Sequence, residues 1–260
     1  MSELISFDVE NGVGIMRFTQ PKRRNPYSLD FVDELVATLS MAQADDSVRA
    51  VVMTGGDHFS SGGDLVGFQA EMAKGARAIY NMVEKVHSGG RAAYGFNKPL
   101  IAAVNGVAYG AGMSLALCAD VVVAAEDARF CEVFSKVGGC PDTGSSWLLQ
   151  QRVGAGIARL LILTGREISG KKAHEMRVVE ECVPANQTEA TAIALATEMA
   201  ANPMFGIESC KRVMRAAAEC SFEEALDVEC RAQCILLSAH DFPEAMSAFS
   251  EKRKPKFKDC

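Results

Sequence analysis

A chain of 260 residues suits one large domain, or one domain with an appendage, and is long enough to bury a sizeable core. With 48% hydrophobic and 23% charged residues its composition is that of an ordinary soluble globular protein, and a net charge of −6 argues against a nucleic-acid binder driven by overall charge. No apolar run approaches the ~18 residues a membrane span needs. Met1-Ser2-Glu3-Leu4-Ile5 lacks a basic region leading into an apolar core, so no secretory signal is expected. Nine scattered cysteines, an odd number without a Cys-x-x-Cys pair, read as the reduced thiols of a cytoplasmic protein with no metal site.

In chain order, residues 5–9 and 13–18 alternate around Asn11-Gly12, a hairpin signal. A basic loop, Pro21-Lys22-Arg23-Arg24-Asn25-Pro26, follows. Ser28 or Asp30 can cap the next helix, whose apolar face is Phe31, Leu35, Val36, Leu39 and Met41. Residues 48–54 read as a strand. Residues 55–63 then hold four glycines, the pattern of a turn that needs unusual dihedrals or lets a ligand approach the backbone. A helical region is expected over 65–89.

The most informative stretch comes next. Pro99 precedes an apolar strand over 100–104, where it removes no ladder hydrogen bond. Asn105-Gly106 breaks that strand, Gly110-Ala111-Gly112 follows, and a helix is expected over 113–119. A strand feeding a helix through small residues exposes backbone N–H groups that can hold an anion or a developing oxyanion. Equally, small residues let a buried helix pack closely on a sheet. Strands over 120–124 and 128–131 lead to a second glycine-rich loop, 137–144, and then to helices over 145–152 and 157–164. A last strand over 178–183 ends at Pro184. Beyond it the spacing is helical over 187–201, 205–218, 222–239 and 242–249, closing on a basic run around Lys252 and Lys256. This is an α/β core over residues 1–185 with a helical segment over 186–260. No dinucleotide fingerprint, phosphate-binding Walker loop, His-Glu-x-x-His or Gly-x-Ser-x-Gly is present.

Phe59-Ser60-Ser61-Gly62-Gly63-Asp64-Leu65, Lys98-Pro99 through Ala119-Asp120, and Pro141-Asp142 with Ser146-Trp147-Leu148-Leu149 together resemble the enoyl-CoA hydratase/isomerase (crotonase) superfamily. So do Pro21-Lys22-Arg23-Arg24-Asn25, Ala173-His174-Glu175, Val178-Val179 and Phe249-Ser250-Glu251-Lys252-Arg253, in the right order along nearly the whole chain. The resemblance implies a spiral of β-β-α units and a helical C-terminal segment used in trimerisation, hence a homotrimer or a dimer of trimers. It implies an acyl-CoA thioester substrate, with no cofactor beyond the coenzyme A that the substrate carries, and no nucleic-acid or membrane partner. The two N–H groups that hold the thioester oxygen match Gly63 and Ala111. Arg24, Ser61, Asp64 and the C-terminal Lys252 match places that contact CoA, and Ser114 and Phe134 belong to the acyl pocket.

The resemblance also bears on the reaction. Ser114 and Phe134 stand where hydratases keep their two glutamates, and Glu132, two positions off, is expected to point elsewhere. Asp142 matches the catalytic Asp of an isomerase branch, which shifts a double bond with one carboxylate. It also matches the nucleophile of 4-chlorobenzoyl-CoA dehalogenases, and His87 falls where those keep a catalytic His. Phe134 replaces the Trp that steadies the Asp there. Read as ordinary structure, Asp142 is a helix cap and His87 a half-buried helix residue. The favoured expectation is isomerisation with Asp142 as acid and base. The alternatives are dehalogenation with Asp142 and His87, an atypical hydratase, and a non-catalytic CoA-ester or RNA-binding member.

Overall fold

The structure is a computed structural model that describes residues 4–259; residues 1–3 of the N-terminal stretch, and Cys260, lie outside the described residues. The hairpin forms as expected, β1 (Ile5–Glu10) antiparallel to β2 (Val13–Phe18) with Ile5 opposite Phe18. α1 (Leu29–Ala44) is capped by Ser28 rather than Asp30: the Ser28 hydroxyl accepts the Phe31 N–H at 3.2 Å.

The main sheet then builds outward in parallel. β3 (Ala50–Thr54) and β4 (Leu100–Val104) are buried at every residue and apolar but for Thr54, as strands covered on both faces must be. With β6 (Val121–Ala125) and β9 (Glu181–Val183) they give a six-stranded sheet of order β1-β2-β3-β4-β6-β9. A second sheet holds three short strands, β5 (Val107–Tyr109), β7 (Arg129–Cys131) and β8 (Ile168–Ser169).

The chain alternates between these sheets and a helix. β4 leads to β5 and α4 (Ala111–Leu117). β6 leads to β7, a 3-10 turn (Val133–Val137) and α5 (Ser145–Thr164). β3 leads to Ser60, which bridges to Ala108 of β5, and then to α2 (Leu65–Met72) and α3 (Ala76–Gly95). This is the β-β-α spiral. Its core is filled by Tyr27, Met53, Phe59, Leu100, Met113 and Phe130, all fully buried.

Several boundaries differ from the sequence reading. The helical region over 65–89 is two helices parted at Gly75, and the second runs through Ser88-Gly89-Gly90 to Gly95. Those glycines are packing sites within the helix: a Cβ on Gly89 would lie 2.2 Å from the Tyr27 hydroxyl, and one on Gly90 2.8 Å from Thr143 Cγ2. The helices over 145–152 and 157–164 merge into α5, kinked at Gly154. The last strand shortens to β9, because Val178 and Val179 enter the core after α6 (Gly170–Glu175). The oxyanion-side helix opens at Ala111, not Met113, because the Ser114 N–H already donates to Gly110 O.

Helices follow to the end: α7 (Thr188–Ala200), α8 (Met204–Ala217), α9 (Phe222–Ser238) and α10 (Asp241–Ser250). A capping box of Ser221 and Glu224 starts α9. The chain forms two compact units, one from the N-terminus through Phe96 with Leu100–Thr197, the other from Asn97–Pro99 with the chain from Glu198 on. Among the described residues no helix is long and apolar enough to cross a membrane.

Candidate active site

Two turns meet at the top of β5. Ser60 N–H donates to Val107 O at 2.9 Å and Tyr109 N–H to Ser60 O at 3.0 Å, which ties the first turn to the second sheet. Tyr27 N–H donates to Gly62 O at 2.8 Å, Asp64 N–H to Tyr27 O at 3.2 Å, and Gly62 N–H to the Ser60 hydroxyl at 3.2 Å. Gly62 has φ +88, and a Cβ there would lie 2.6 Å from Tyr109 O. Only glycine lets the turns touch backbone to backbone. Gly110, at φ 49 and ψ −123, turns the chain from β5 into α4, and its N–H donates to Cys131 O at 2.9 Å.

This pattern leaves donors over where the first turn meets the start of α4. Among the described residues no acceptor meets the N–H of Gly63 or of Ala111, while the flanking N–H groups of Gly62, Asp64 and Gly110 are all engaged. A Cβ on Gly62 would lie 3.7 Å from the Ala111 nitrogen, so the turn that carries Gly63 packs directly against the start of α4. Ala111 opens α4, and the first N–H groups of a helix have no intrahelical partner; a pair of such donors is what a developing enolate oxygen requires.

Asp142 and His87 come together elsewhere in the same unit, on a cavity of ≈ 390 Å³ that Arg91, Tyr94, Cys118 and Trp147 also line. Gly63 and Ala111 are not among its lining residues. The link is α4: the Cys118 thiol at its end donates to Thr143 O at 3.7 Å. Thr143 sits in the left-handed region at φ +53, is buried, and donates its hydroxyl to Asp142 Oδ1 at 3.0 Å. Burial raises the Asp142 pKa above the ordinary carboxylate value; the Thr143 hydrogen bond and the charge of His87 partly offset this. A carboxylate with raised proton affinity in a cavity is a better base than a free one. The Cys118 thiol is pushed up to about 12 by burial and is no nucleophile at neutral pH.

The remaining sequence candidates are placed as follows. Arg24 is exposed at φ +57, and its carbonyl accepts the Ser61 N–H at 2.7 Å, so both flank the first turn. Asp64 caps α2 through Gly67 N–H at 3.3 Å and pairs with Arg23 at 3.3 Å, which occupies its carboxylate. Ser114 is fully buried and donates its hydroxyl back to Gly110 O at 3.1 Å. The Phe134 ring stands beside Gly110, 3.6 Å from where a Cβ would be. Lys252 is exposed in the second unit at φ +55.

Glu132, expected to point elsewhere than the hydratase glutamate it adjoins, runs to the start of α5. It is 1% exposed, accepts the Ser145 hydroxyl at 3.1 Å, and stands close enough to Asp142 for their charges to interact. The sequence signal was present: a carboxylate inside an otherwise apolar run, Phe130-Cys131-Glu132-Val133-Phe134.

Comparison with known proteins agrees with this architecture. The model of the family described as enoyl-CoA hydratase/isomerase matches residues 8–260. The chain is 35% identical over 259 residues to 1,2-epoxyphenylacetyl-CoA isomerase of Escherichia coli K12, covering 99% of each chain. It is 34% identical, with the same coverage, to 2,3-dehydroadipyl-CoA hydratase of that organism. An enoyl-CoA hydratase structure from Bacillus anthracis superposes with a TM-score of 0.94 at 29% identity, covering 99% of this chain and 100% of the other. The spiral fold, the two spare N–H groups at its glycine turns and these full-length matches lead to one conclusion: the chain belongs to the enoyl-CoA hydratase/isomerase family of acyl-CoA enzymes.

Proposed function

We propose that the chain moves a carbon–carbon double bond in an acyl-CoA thioester by a 1,3-proton shift. The thioester oxygen accepts from the Gly63 and Ala111 N–H groups. The Asp142 carboxylate removes a proton from the carbon next to the thioester carbonyl of a 3-enoyl group. The electron pair is delocalised to the oxygen as a dienolate, which the two N–H groups stabilise. Asp142, now a carboxylic acid, returns the proton two carbons further on, and the conjugated 2-enoyl thioester results. One base handles both transfers, so the atoms balance without a second acid.

The observation that carries this reading is a combination: paired spare donors, one cavity carboxylate at Asp142, and side chains at 114 and 134 that cannot move a proton. Ser114 is bonded to its own helix and Phe134 is apolar. Relatives named isomerase and hydratase are equally similar, so identity alone does not choose between the reactions. The test is conjugation of a 3-enoyl-CoA followed by absorbance. Asp142→Asn is expected to lower kcat by about 10²–10⁴-fold, while His87→Gln stays within about threefold. Full activity in Asp142→Asn would end this reading.

A second reading has its own support, since His87 and Asp142 share the cavity. In hydrolytic dehalogenation of an aroyl-CoA, Asp142 displaces halide from the ring carbon and His87 takes a proton from the water that opens the ester. Halide release dependent on both residues would favour it. We also propose, from the family, that the helices of the second unit assemble the chain into trimers.

A further inference from the structure

Glu132 leaves β7 beside the oxyanion turn. Tyr109 pairs with Cys131, so Gly110 and Glu132 follow their strands out of the second sheet side by side. The Glu132 side chain then runs to the start of α5, where Oε2 accepts the hydroxyl of Ser145, itself fully buried. Ser145 N–H in turn donates to Asp142 O at 3.1 Å. Among the described residues Oε1, which is buried, meets no donor, and no ion pair reaches the carboxyl. A carboxylate held by one hydroxyl, without a cation, is poorly compensated in such a place and keeps its proton to higher pH than an exposed glutamate.

We propose that Glu132 is a positioning residue: through Ser145 it pins the turn that carries Asp142, and as a neutral acid it leaves Asp142 the charged carboxyl of that turn. The proposal rests on Asp142 being the proton-transfer group. Burial is the main cause that lifts the Glu132 pKa to about 7; the Asp142 charge adds to the rise and the Ser145 hydroxyl opposes it. The titratable neighbours are few. Asp142 faces Glu132 at the start of α5, and Cys131 precedes it in the chain. Asp142 is itself faced by His87 from α3 and by Tyr27 from the segment before α1. When Glu132 ionises, a second negative charge stands by Asp142 and by the turn that receives the enolate. Like charge raises the proton affinity of Asp142, which aids removal of the proton, but it disfavours the enolate and slows the return of the proton, and the second pair of effects outweighs the first. Activity should therefore fall as Glu132 loses its proton.

The experiment is the pH profile of kcat/KM between pH 5.5 and 9 on a 3-enoyl-CoA, for the parent, Glu132→Gln, Ser145→Ala and Asp142→Asn. Glutamine keeps an acceptor for Ser145 but cannot ionise. The parent is expected to lose about tenfold or more between pH 6 and pH 9. Glu132→Gln should match the parent at pH 6 within about threefold and stay flat to pH 9. Ser145→Ala removes a hydrogen bond that favours the ionised form, so its descending limb should move to higher pH; it also serves if Glu132→Gln does not fold. A descending limb that persists in Glu132→Gln, or stays in place in Ser145→Ala, overturns the proposal, as does a uniform rate loss with unchanged profile, the mark of a purely structural role. Activity retained in Asp142→Asn would instead refute the reading of Asp142 on which the proposal stands.

Discussion

Thr143 fixes Asp142 through an uncommon backbone conformation and a single hydroxyl. A β-branched residue at φ +53 is strained, and here it is held by burial against Gly90 and by the Cys118 thiol on its carbonyl. Its hydroxyl lowers the Asp142 proton affinity that burial raises. Thr143→Val keeps the shape and removes the donor, so the acid limb of kcat/KM should shift to higher pH. Glu132 gives a stability test independent of turnover. Its folded pKa, about 7, lies above the ordinary 4.5, so the unfolded chain ionises first. Stability is intact below pH 4.5 and falls as pH rises through 7. Thermal unfolding should therefore show Glu132→Gln more stable than the parent at pH 8, by up to roughly 3 kcal/mol, and much less so at pH 5. Asp142 was legible in the sequence because it sits in a glycine loop whose run of residues resembles a family motif. Glu132 was legible only as a carboxylate within an apolar run; its link through Ser145 to the same turn is a tertiary contact that no local pattern encodes.

At the scale of elements, close approach decides what the pattern of apolar residues cannot. α3 lies against Tyr27 and Thr143 through Gly89 and Gly90 and continues past the expected end at residue 89 to Gly95. Gly90→Ala would place its Cβ 2.8 Å from Thr143 Cγ2 and 2.9 Å from Thr143 O. The backbone oxygen cannot rotate away, so the variant should lose about 1–3 kcal/mol in denaturant unfolding and lower kcat by moving the Asp142 turn. Arg152 makes a comparable tie from α5, donating to Ala119 O at 2.9 Å and pairing with Glu180 at 2.5 Å. The long parallel strands were readable as buried apolar runs. β5 and β8 were not, since strands of three and two residues have no period to read. Yet β5 carries the oxyanion turn.

At the scale of the whole molecule, the alternation of two sheets and a helix brings sequence-distant turns together, while α8, α9 and α10 belong to a second unit and most of α7 to the first. The second unit exposes the large apolar side chains of Met214, Leu226, Ile235, Phe242, Met246 and Phe249. Light scattering on the purified chain should give a trimer or hexamer mass, and Phe249→Lys should reduce the assembled fraction. The change from strands to helices was plain in the sequence; the meeting of the 60–63 and 109–112 turns was visible only through a family resemblance, because no local signal encodes a contact between segments so far apart.

The most direct test is a crystal structure with a non-reactive 3-enoyl-CoA analogue bound. The thioester oxygen is expected within about 3.2 Å of both the Gly63 and Ala111 nitrogens, with the Asp142 carboxylate within about 5 Å of the carbons that exchange the proton. A thioester oxygen turned away from both nitrogens, or an Asp142 carboxylate beyond that distance from every acyl carbon, would contradict the mechanism.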